Sequence, residues 1–479
     1  MRTRTLLSMC RVVEPARRGL LTPTLVLAAG VALGVPASAR ALDAVTDWNA
    51  RSETYVTGAP PVQGRTRAMI QIAVHDALNA IAPRFVAYTT IPPAHPDASP
   101  EAAVATATYE VLTKTAALTQ EYEAYMSAIT CPPGYPSCRD DGATIGKAAA
   151  DAIKSLRATD GAAAPPPPYS QPQVPGVYQP TPNPNPTGAP ANYCLEGAAG
   201  PPQFEQWAAV TPFAIVSGSQ FRMDPPEMFD LTSDAYVRDY DEVKRVGHCN
   251  AQATGDRTAE QSGIARYWPA GGANWNATAR VILAQQPHAG TDMWKRAQLF
   301  ALLNIAMADA NVAVFDTKYH YKFWRPVTAI RAGDTDGNSA TAPDSGWLSY
   351  LATPPYPDYT CGLTTGTGAA VEVLRRWFGT DDLAWTRTVS SPTPPPSMTI
   401  ERSFTSLSQA AAEAVDARVF GGMHFRTGCV HGVRQGEKVG RFVIQHALKP
   451  LRTRGCAKVC PVGAAVCASC IGLRVPDET

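Results

Sequence analysis

The sequence predicts an all-α protein, built as a helical bundle with one long proline-rich excursion on its surface. Apolar residues recur at helical spacing in nine segments, and the alternation that marks a β-strand is scarce. The stretch Ala162–Pro202 breaks the pattern, because it is rich in proline, glycine and asparagine and has four consecutive prolines.

Residues 1–41 predict an export signal. Arg17 and Arg18 precede the apolar run Leu20–Val35, and small residues near Ala39 offer a cleavage site. The arginine pair also fits a twin-arginine signal, with a plain secretory signal as the alternative. The run is too short and interrupted for a stable membrane span, and we expect no later segment to be long and apolar enough to span a bilayer. The expected location is therefore periplasmic or extracellular.

The predicted helices follow one another along the rest of the chain, each with apolar residues three or four positions apart. In chain order they are Arg67–Ile81, Glu101–Leu118, Gly142–Leu156, Thr258–Tyr267, Trp275–Ala284, Thr291–Phe315, Thr364–Phe378, Phe404–Val419 and Val433–Leu448. We expect them to form one domain over residues 42–450. The excursion at 162–202 is then a surface loop between two helical halves, with a flexible interdomain linker as the alternative.

The cysteines also fit an oxidising compartment. There are 11, and removal of the signal with Cys10 leaves an even number. Cys131 and Cys138 bracket a turn-rich loop that a disulfide can close. The tail at 451–479 holds four more, for which two disulfides are favoured over a zinc site because the gap between the two pairs is short for a zinc ribbon. These four are Cys456, Cys460, Cys467 and Cys470.

The first motif with chemical content is Lys318 to Pro326. Lys318 and Arg325 lie seven residues apart, which predicts two turns of separation on one side of a helix that Pro326 then ends. Two long cationic side chains on a shared face can hold one anion from two directions. Such pairs are usually solvated, but this one lies among aromatic residues.

The second motif runs from Pro354 to Gly368. A proline-rich approach, a turn at Cys361–Gly362 and a helix start predict an anion site, because free backbone N–H groups and the helix dipole point at one place. Thr364 or Thr365 is expected to cap the helix. Taken alone, the motif is better explained by an ordinary helix N-terminus.

The third motif pairs Arg418 with His424. Arg418 closes one predicted helix and His424 opens the next, with Gly421 and Gly422 between them. This break lets the two side chains converge, although continuous helix would point them apart.

Together the three motifs resemble a known signature. The spacing K-x6-R-P, a loop similar to P-x-S-G-H, and R-x5-H is that of type-2 phosphatidic acid phosphatases, bacterial acid phosphatases and vanadium-dependent haloperoxidases. The flanking residues His75–Ile81 and Lys318–Arg331 look like the bacterial haloperoxidase-related branch, and the resemblance covers about Trp48–Leu448. It implies a helical bundle of the acid phosphatase / vanadium haloperoxidase type that holds vanadate, or phosphate as substrate or analogue.

The resemblance also implies roles, carried over by position. Lys318, Arg325 and Arg418 neutralise the anion's oxygens, and the Cys361–Gly362 backbone donates N–H groups. His424 is the axial group, as the vanadium ligand in a peroxidase or as the nucleophile in a phosphatase. The implied partners are a small-molecule substrate, peroxide and halide. A homodimer is open, and a net charge of +1 gives no reason to expect nucleic acid.

The chain departs from the signature in its proton-transfer residues. The loop serine is Cys361, and the loop histidine, a general acid or proton relay, is Leu363. Losing a general acid costs about 100- to 10,000-fold in rate.

The aspartate expected four residues after His424 is also replaced, by Gly428. The usual partner that orients the histidine is therefore missing. The candidates to take its place are His431 and a carboxylate from elsewhere in the chain, such as Asp309.

Three functions remain open on these grounds. The leading one is a vanadate-dependent peroxidase with a weaker or substituted acid, because the flanking sequence resembles that branch. The second is a phosphoryl-transfer enzyme in which Asp358, Tyr359 or water protonates the leaving group. The third is a non-catalytic oxyanion-binding relative, since fold alone does not determine function.

Overall fold

The computed structural model describes residues 43–184, 194–285, 292–392 and 397–451. The predicted export signal and the four tail cysteines lie outside these ranges. The described residues confirm a predominantly helical protein, with 14 α-helices and two short antiparallel strand pairs.

The helix bounds in chain order are as follows. The first half holds α1 Ala44–Tyr55, α2 Pro60–Ile81, α3 Pro100–Val111, α4 Ala116–Ser127, α5 Cys138–Leu156, α6 Asp234–Val246, α7 Ala251–Thr254, α8 Ala259–Tyr267 and α9 Trp275–Gln285. The second half holds α10 Met293–Tyr321, α11 Pro326–Arg331, α12 Gly362–Phe378, α13 Leu407–Phe420 and α14 Arg426–His446. The strands are β1 Asn183–Pro184, β2 Glu196–Gly197, β3 Trp385–Ser391 and β4 Met398–Phe404.

The core is organised around α10, which packs against α2, α12 and α14. This helix is long and apolar enough to cross a membrane by length and composition, which corrects the expectation that no such segment exists after the signal. However, 83% of its most apolar window is buried inside the bundle. A central helix surrounded by other helices is apolar all round for the same reason that a membrane span is.

The predicted helix Glu101–Leu118 is in fact two helices. The break falls between Val111 and Ala116, where the Thr115 hydroxyl accepts a hydrogen bond from the Leu118 N–H and so caps α4. Apolar periodicity continues across the break because both helices face the same core. Thr115, a residue type that commonly caps helices, was the feature of the sequence that could have indicated this break.

The hairpin of β3 and β4 was not predicted. It pairs Trp385 with Phe404 and Val389 with Ile400, and the side chains of these four residues are buried. Each strand has only one short alternation of apolar and polar residues. This is too short to distinguish a strand from the helical periodicity around it.

The proline-rich excursion contains no α-helix in its described part, as predicted. It is attached to the bundle, because the N–H of the fully buried Tyr178 donates to the Lys322 carbonyl at 2.8 Å. Two cysteine pairs lie at bonding distance, the expected Cys131–Cys138 and the unpredicted Cys194–Cys249. The domain limits 42–450 stay a prediction.

Candidate functional site

Lys318 and Arg325 converge, but not along one helix face as predicted. Helix α10 ends at Tyr321, Lys322 takes a left-handed conformation with φ 52°, and Arg325 is the N-cap of α11. Pro326 does not end a helix but begins one, because its fixed φ suits the first helical position. The proline ring also clashes with the preceding residue, which disfavours helical conformation there. The two cations meet because the chain turns between two helices.

The amine of Lys318 is fully buried against the second motif. It donates to the carbonyls of Pro357 at 2.7 Å and Asp358 at 2.8 Å. Burial, with the charge of Arg325 adding to it, lowers the pKa of Lys318 well below its ordinary value. An ammonium has three donors, so one remains for an anion, whose charge would favour the protonated form.

Arg325 joins the first motif to the other two. Its Nε donates to the Tyr356 carbonyl and its Nη1 to the Met423 carbonyl, both at 2.8 Å. Its Nη1 also lies 3.0 Å from Nε2 of His424. Its Nη2 is buried and has no hydrogen-bond partner among the described residues.

Of Lys318, Arg325 and Arg418, Arg418 has the fewest hydrogen bonds to described residues. Its side chain comes from the last turn of α13 and the residue is 6% exposed. Its Nε is buried without a hydrogen-bond partner in the described part of the chain. A buried charge left unpaired is costly, so the guanidinium needs an anion that protein groups do not supply.

His424 follows Gly422, whose φ of 77° reverses the chain between α13 and α14. The ring is 1% exposed, and its Nδ1 lies 2.7 Å from Oδ1 of Asp358. The carboxylate makes no hydrogen bond of good geometry among the described residues, so this is a close charge contact rather than an aligned hydrogen bond. Asp358 is nevertheless the carboxylate that faces the imidazole, and sequence reasoning did not assign it this role.

The two residues expected to orient His424 lie elsewhere. Nδ1 of His431 contacts the Tyr359 hydroxyl at 2.7 Å. Asp309 accepts the N–H groups of three consecutive residues, 213–215, and burial raises its pKa to about 6. Neither named residue orients His424, but the alternative of a carboxylate from elsewhere in the chain agrees with the contact of Asp358.

Gly428 explains why Asp358 can take this place. A Cβ at position 428, where the signature has its aspartate, would lie 3.0 Å from Oδ2 of Asp358. The loop carboxylate thus occupies the space that a helix carboxylate would fill. The signal available in the sequence was an acidic residue three positions before Cys361, in the same motif.

The Cys361–Gly362 turn supplies one backbone donor rather than two. The N–H of Cys361, the N-cap of α12, is already bonded to the Gly428 carbonyl at 3.0 Å, which contradicts its predicted role. Gly362 is the first helical residue, whose N–H has no intrahelical acceptor. Thr364 and Thr365 do not cap the helix, because both hydroxyls donate to the Cys361 carbonyl.

The side chain of Cys361 lies beside a second free thiol. Cys361 and Cys429 are both buried and unpaired, and each thiol lies within 4.8 Å of the other and of a ring nitrogen of His424. Burial alone raises a thiol pKa, but for Cys361 the Cys429 hydrogen bond and the charge of His424 outweigh it and hold the pKa well below its ordinary value. Burial raises the pKa of Cys429.

A cavity of about 480 Å³ opens beside the cation cluster, lined by Arg418, His424, Gly362 and Leu363. Its lining includes no carboxylate and no second histidine among the described residues. Asp358 and Tyr359 do not line it, so neither is placed to protonate a leaving group there. Its remaining wall combines aromatic and polar side chains, including Trp268, Trp275, Phe315, Tyr356, Arg67 and Asn311.

Comparisons with known proteins give related answers. The family described as "VCPO second helical-bundle domain" matches residues 298–453. The vanadium chloroperoxidase of Curvularia inaequalis is 27% identical over 185 residues, which is 33% of this chain and only 30% of that protein. The match therefore spans less than a third of the curated relative.

Solved structures match over more of the chain. A bacterial vanadium-dependent iodoperoxidase is 25% identical with a TM-score of 0.67, over 86% of this chain and 97% of the other. A holo-type bacterial vanadium-dependent chloroperoxidase is 20% identical with a TM-score of 0.65, over 82% of this chain and 93% of the other. The second likeness concerns the fold alone.

Proposed function

Because the chain is a relative of the vanadium haloperoxidases and has their helical fold, we propose that it binds vanadate and acts as a peroxidase. Its substrate in this proposal is a readily oxidised halide or a small organic molecule, with hydrogen peroxide as oxidant. The location proposed is outside the cytoplasm, which secretion of a reporter fused to residues 1–41 would test.

One observation carries the proposal. Nη2 of Arg325 and Nε of Arg418 are buried without hydrogen-bond partners among the described residues. Nη1 of Arg325 contacts His424, and Arg418 and His424 line one cavity. Guanidinium groups with unsatisfied buried N–H groups are stabilised most by an anion with several oxygens. Vanadate and phosphate both satisfy this requirement, so the residues present fit the cofactor that the family implies.

The chain's own residues would divide the work. Lys318, Arg325 and Arg418 hold the oxygens, and the Gly362 N–H at the start of α12 adds a backbone donor. Asp358 faces Nδ1 of His424, so Nε2, which lies 3.0 Å from Nη1 of Arg325, is the nitrogen that would bind vanadate. Bound vanadate would supply Lewis-acid activation of peroxide.

Proton transfer is the weak step in this proposal. Leu363 lines the cavity where the signature has a histidine, and the rest of the described lining has no carboxylate and no histidine besides His424. We expect a rate about 100- to 10,000-fold below that of a complete site. Iodide and bromide are then the expected substrates rather than chloride, because chloride is harder to oxidise.

The test is peroxide-dependent oxidation of iodide and bromide by the protein with and without added vanadate. Activity that requires vanadate and is lost in His424→Ala supports the proposal. Release of phosphate from an aryl phosphate without vanadate, also lost in His424→Ala, would assign a phosphatase instead. Vanadate binding with neither activity would leave a non-catalytic oxyanion-binding protein.

A further inference from the structure

Three side chains with potential metal ligands lie together in the interior. Of these, only His424 also belongs to the proposed oxyanion clamp, which consists of Lys318, Arg325, Arg418, His424 and the Gly362 N–H. Sulfur atoms of Cys361 and Cys429 and a ring nitrogen of His424 all lie within 4.8 Å of one another. The three residues are at most 1% exposed. Both thiols are free, whereas the other four described cysteines form two disulfides.

The two cysteines are held together by the packing of α12 on α14. Cys361 precedes α12 and Cys429 lies in the first turn of α14, and the hydrogen bond from the Cys361 N–H to the Gly428 carbonyl connects the two helix starts. Glycines allow the close approach, since a Cβ at Gly436 would overlap the Thr365 carbonyl. The close packing of α12 on α14 therefore places the two thiols side by side.

We propose that Cys361, Cys429 and His424 form a binding site for a thiophilic divalent cation, with Zn²⁺ as the reference ion. Zinc takes sulfur at about 2.3 Å and imidazole nitrogen at about 2.0 Å, so tetrahedral donors lie roughly 3.5 to 3.8 Å apart. Because the three atoms lie within 4.8 Å of one another, movements of at most about 1 Å would bring them to these distances. The cavity that His424 lines leaves the fourth position to water or a small ligand.

The surroundings suit a cation despite the nearby arginines. Asp358 contacts Nδ1 of His424, which is the outer-shell carboxylate that zinc-binding histidines usually have. Two thiolates balance the charge of one divalent cation, so an occupied site adds no net charge to the cluster. The metal and the oxyanion would share His424, and we expect each to exclude the other.

The experiment uses the full-length protein, kept reduced and freed of metal. Added Co²⁺ should give thiolate charge-transfer absorption, and elemental analysis after Zn²⁺ loading should show one equivalent more in wild type than in Cys429→Ser. The affinity of that equivalent should fall about 100-fold or more in Cys429→Ser and about 10- to 100-fold in Asp358→Asn. Tail cysteines are present in all three proteins, so the difference assigns the metal.

His248→Ala is the matched control, because His248 lies beside the Cys194–Cys249 disulfide, and it should leave the metal content unchanged. Cys429→Ala provides a second variant should the serine unfold the protein. Equal Co²⁺ spectra in wild type and both Cys429 variants would overturn the proposal. So would a Cys361–Cys429 disulfide, found by mass mapping, in a protein that binds no metal after reduction.

Vanadate tests the shared histidine separately. Displacement of Co²⁺ from the thiolates by vanadate would support both the metal site and the oxyanion site. Retention of Co²⁺ in a protein that shows no vanadate binding by itself would contradict the proposed peroxidase but support the metal site.

Discussion

At the scale of single residues, two substitutions with opposite consequences lie at this site. Leu363 stands where the signature has a proton-transfer histidine, and the described cavity lining has no carboxylate and no other histidine besides His424. Gly428 stands where the signature has an aspartate, and Asp358 occupies the space beside it. In the proposed peroxidase, the chain therefore keeps a carboxylate that faces His424 but lacks the signature's acid.

Leu363→His should raise vanadate-dependent iodide oxidation about 100-fold or more, because it restores a titratable group at the cavity wall. Leu363→Gln is the control, since it adds polarity without a proton donor of suitable pKa. Steady-state rates with saturating vanadate would measure the gain. An equal gain in both variants would mean that the acid is not the limiting defect.

We expect a carboxylate to orient His424 from either position, the loop position 358 or the helix position 428. Asp358→Gly should weaken vanadate binding about 10- to 100-fold, because His424 loses its orienting contact. Adding Gly428→Asp in the same chain should restore most of that affinity, whereas Gly428→Asp alone would crowd Asp358. Titration of vanadate into the three variants tests this, and a double variant no better than Asp358→Gly would contradict it.

At the scale of elements, the site depends on how closely α12 and α14 pack, which is the most extensive helix pair of the described chain. Gly432, Gly436 and Gly440 of α14 each lie where a side chain would meet α12 or the residue before it. The start of α12 presents Gly362, and the start of α14 follows His424. A shift between these helices therefore moves two parts of the oxyanion clamp.

Gly436→Ala should destabilise the fold by about 1 to 3 kcal/mol and weaken vanadate binding, because the added methyl overlaps the Thr365 carbonyl. Gly366→Ala is the matched control on α12, where a Cβ meets nothing within 4 Å. It should stabilise the protein by about 0.5 to 1 kcal/mol. Denaturant unfolding would compare them, and destabilisation of similar size in both would refute the packing argument.

At the scale of the whole molecule, the buried cations destabilise the fold, and the proposed oxyanion would offset this cost. Arg418 shows this most clearly, since its Nε has no partner among the described residues. A ligand that binds only the folded state stabilises it by about 2.7 kcal/mol at 100 times its dissociation constant. The stability of the protein should therefore depend on the oxyanion.

Arg418→Met should make the anion-free protein more stable than wild type, because it replaces an unpaired buried charge with an apolar chain of similar length. The same variant should lose most of the rise in melting temperature that vanadate produces in wild type. Thermal unfolding in vanadate and in chloride alone measures both effects. A less stable variant that still responds fully to vanadate would show that Arg418 does not face the anion.

Much of the architecture could be predicted from local pattern. The helices at Gly142–Leu156, Trp275–Ala284 and Thr364–Phe378 lie within one to four residues of the observed ones. Predictions failed where a short local feature competed with a longer pattern. The Thr115 cap divides one predicted helix into two. Lys322 ends the helix on which both Lys318 and Arg325 were predicted to lie.

By itself, the sequence determined the helical class, the excursion without helices, and the cations and histidine that lie around one buried point. The first two follow from periodicity and composition, which are local properties, whereas the cations and the histidine follow from the resemblance of the three motifs to a known signature. Only the tertiary structure decided which carboxylate faces His424, which backbone N–H stays free, and that Cys429 lies beside Cys361. Such contacts join residues about 70 positions apart through the packing of two helices, and no local pattern encodes that distance.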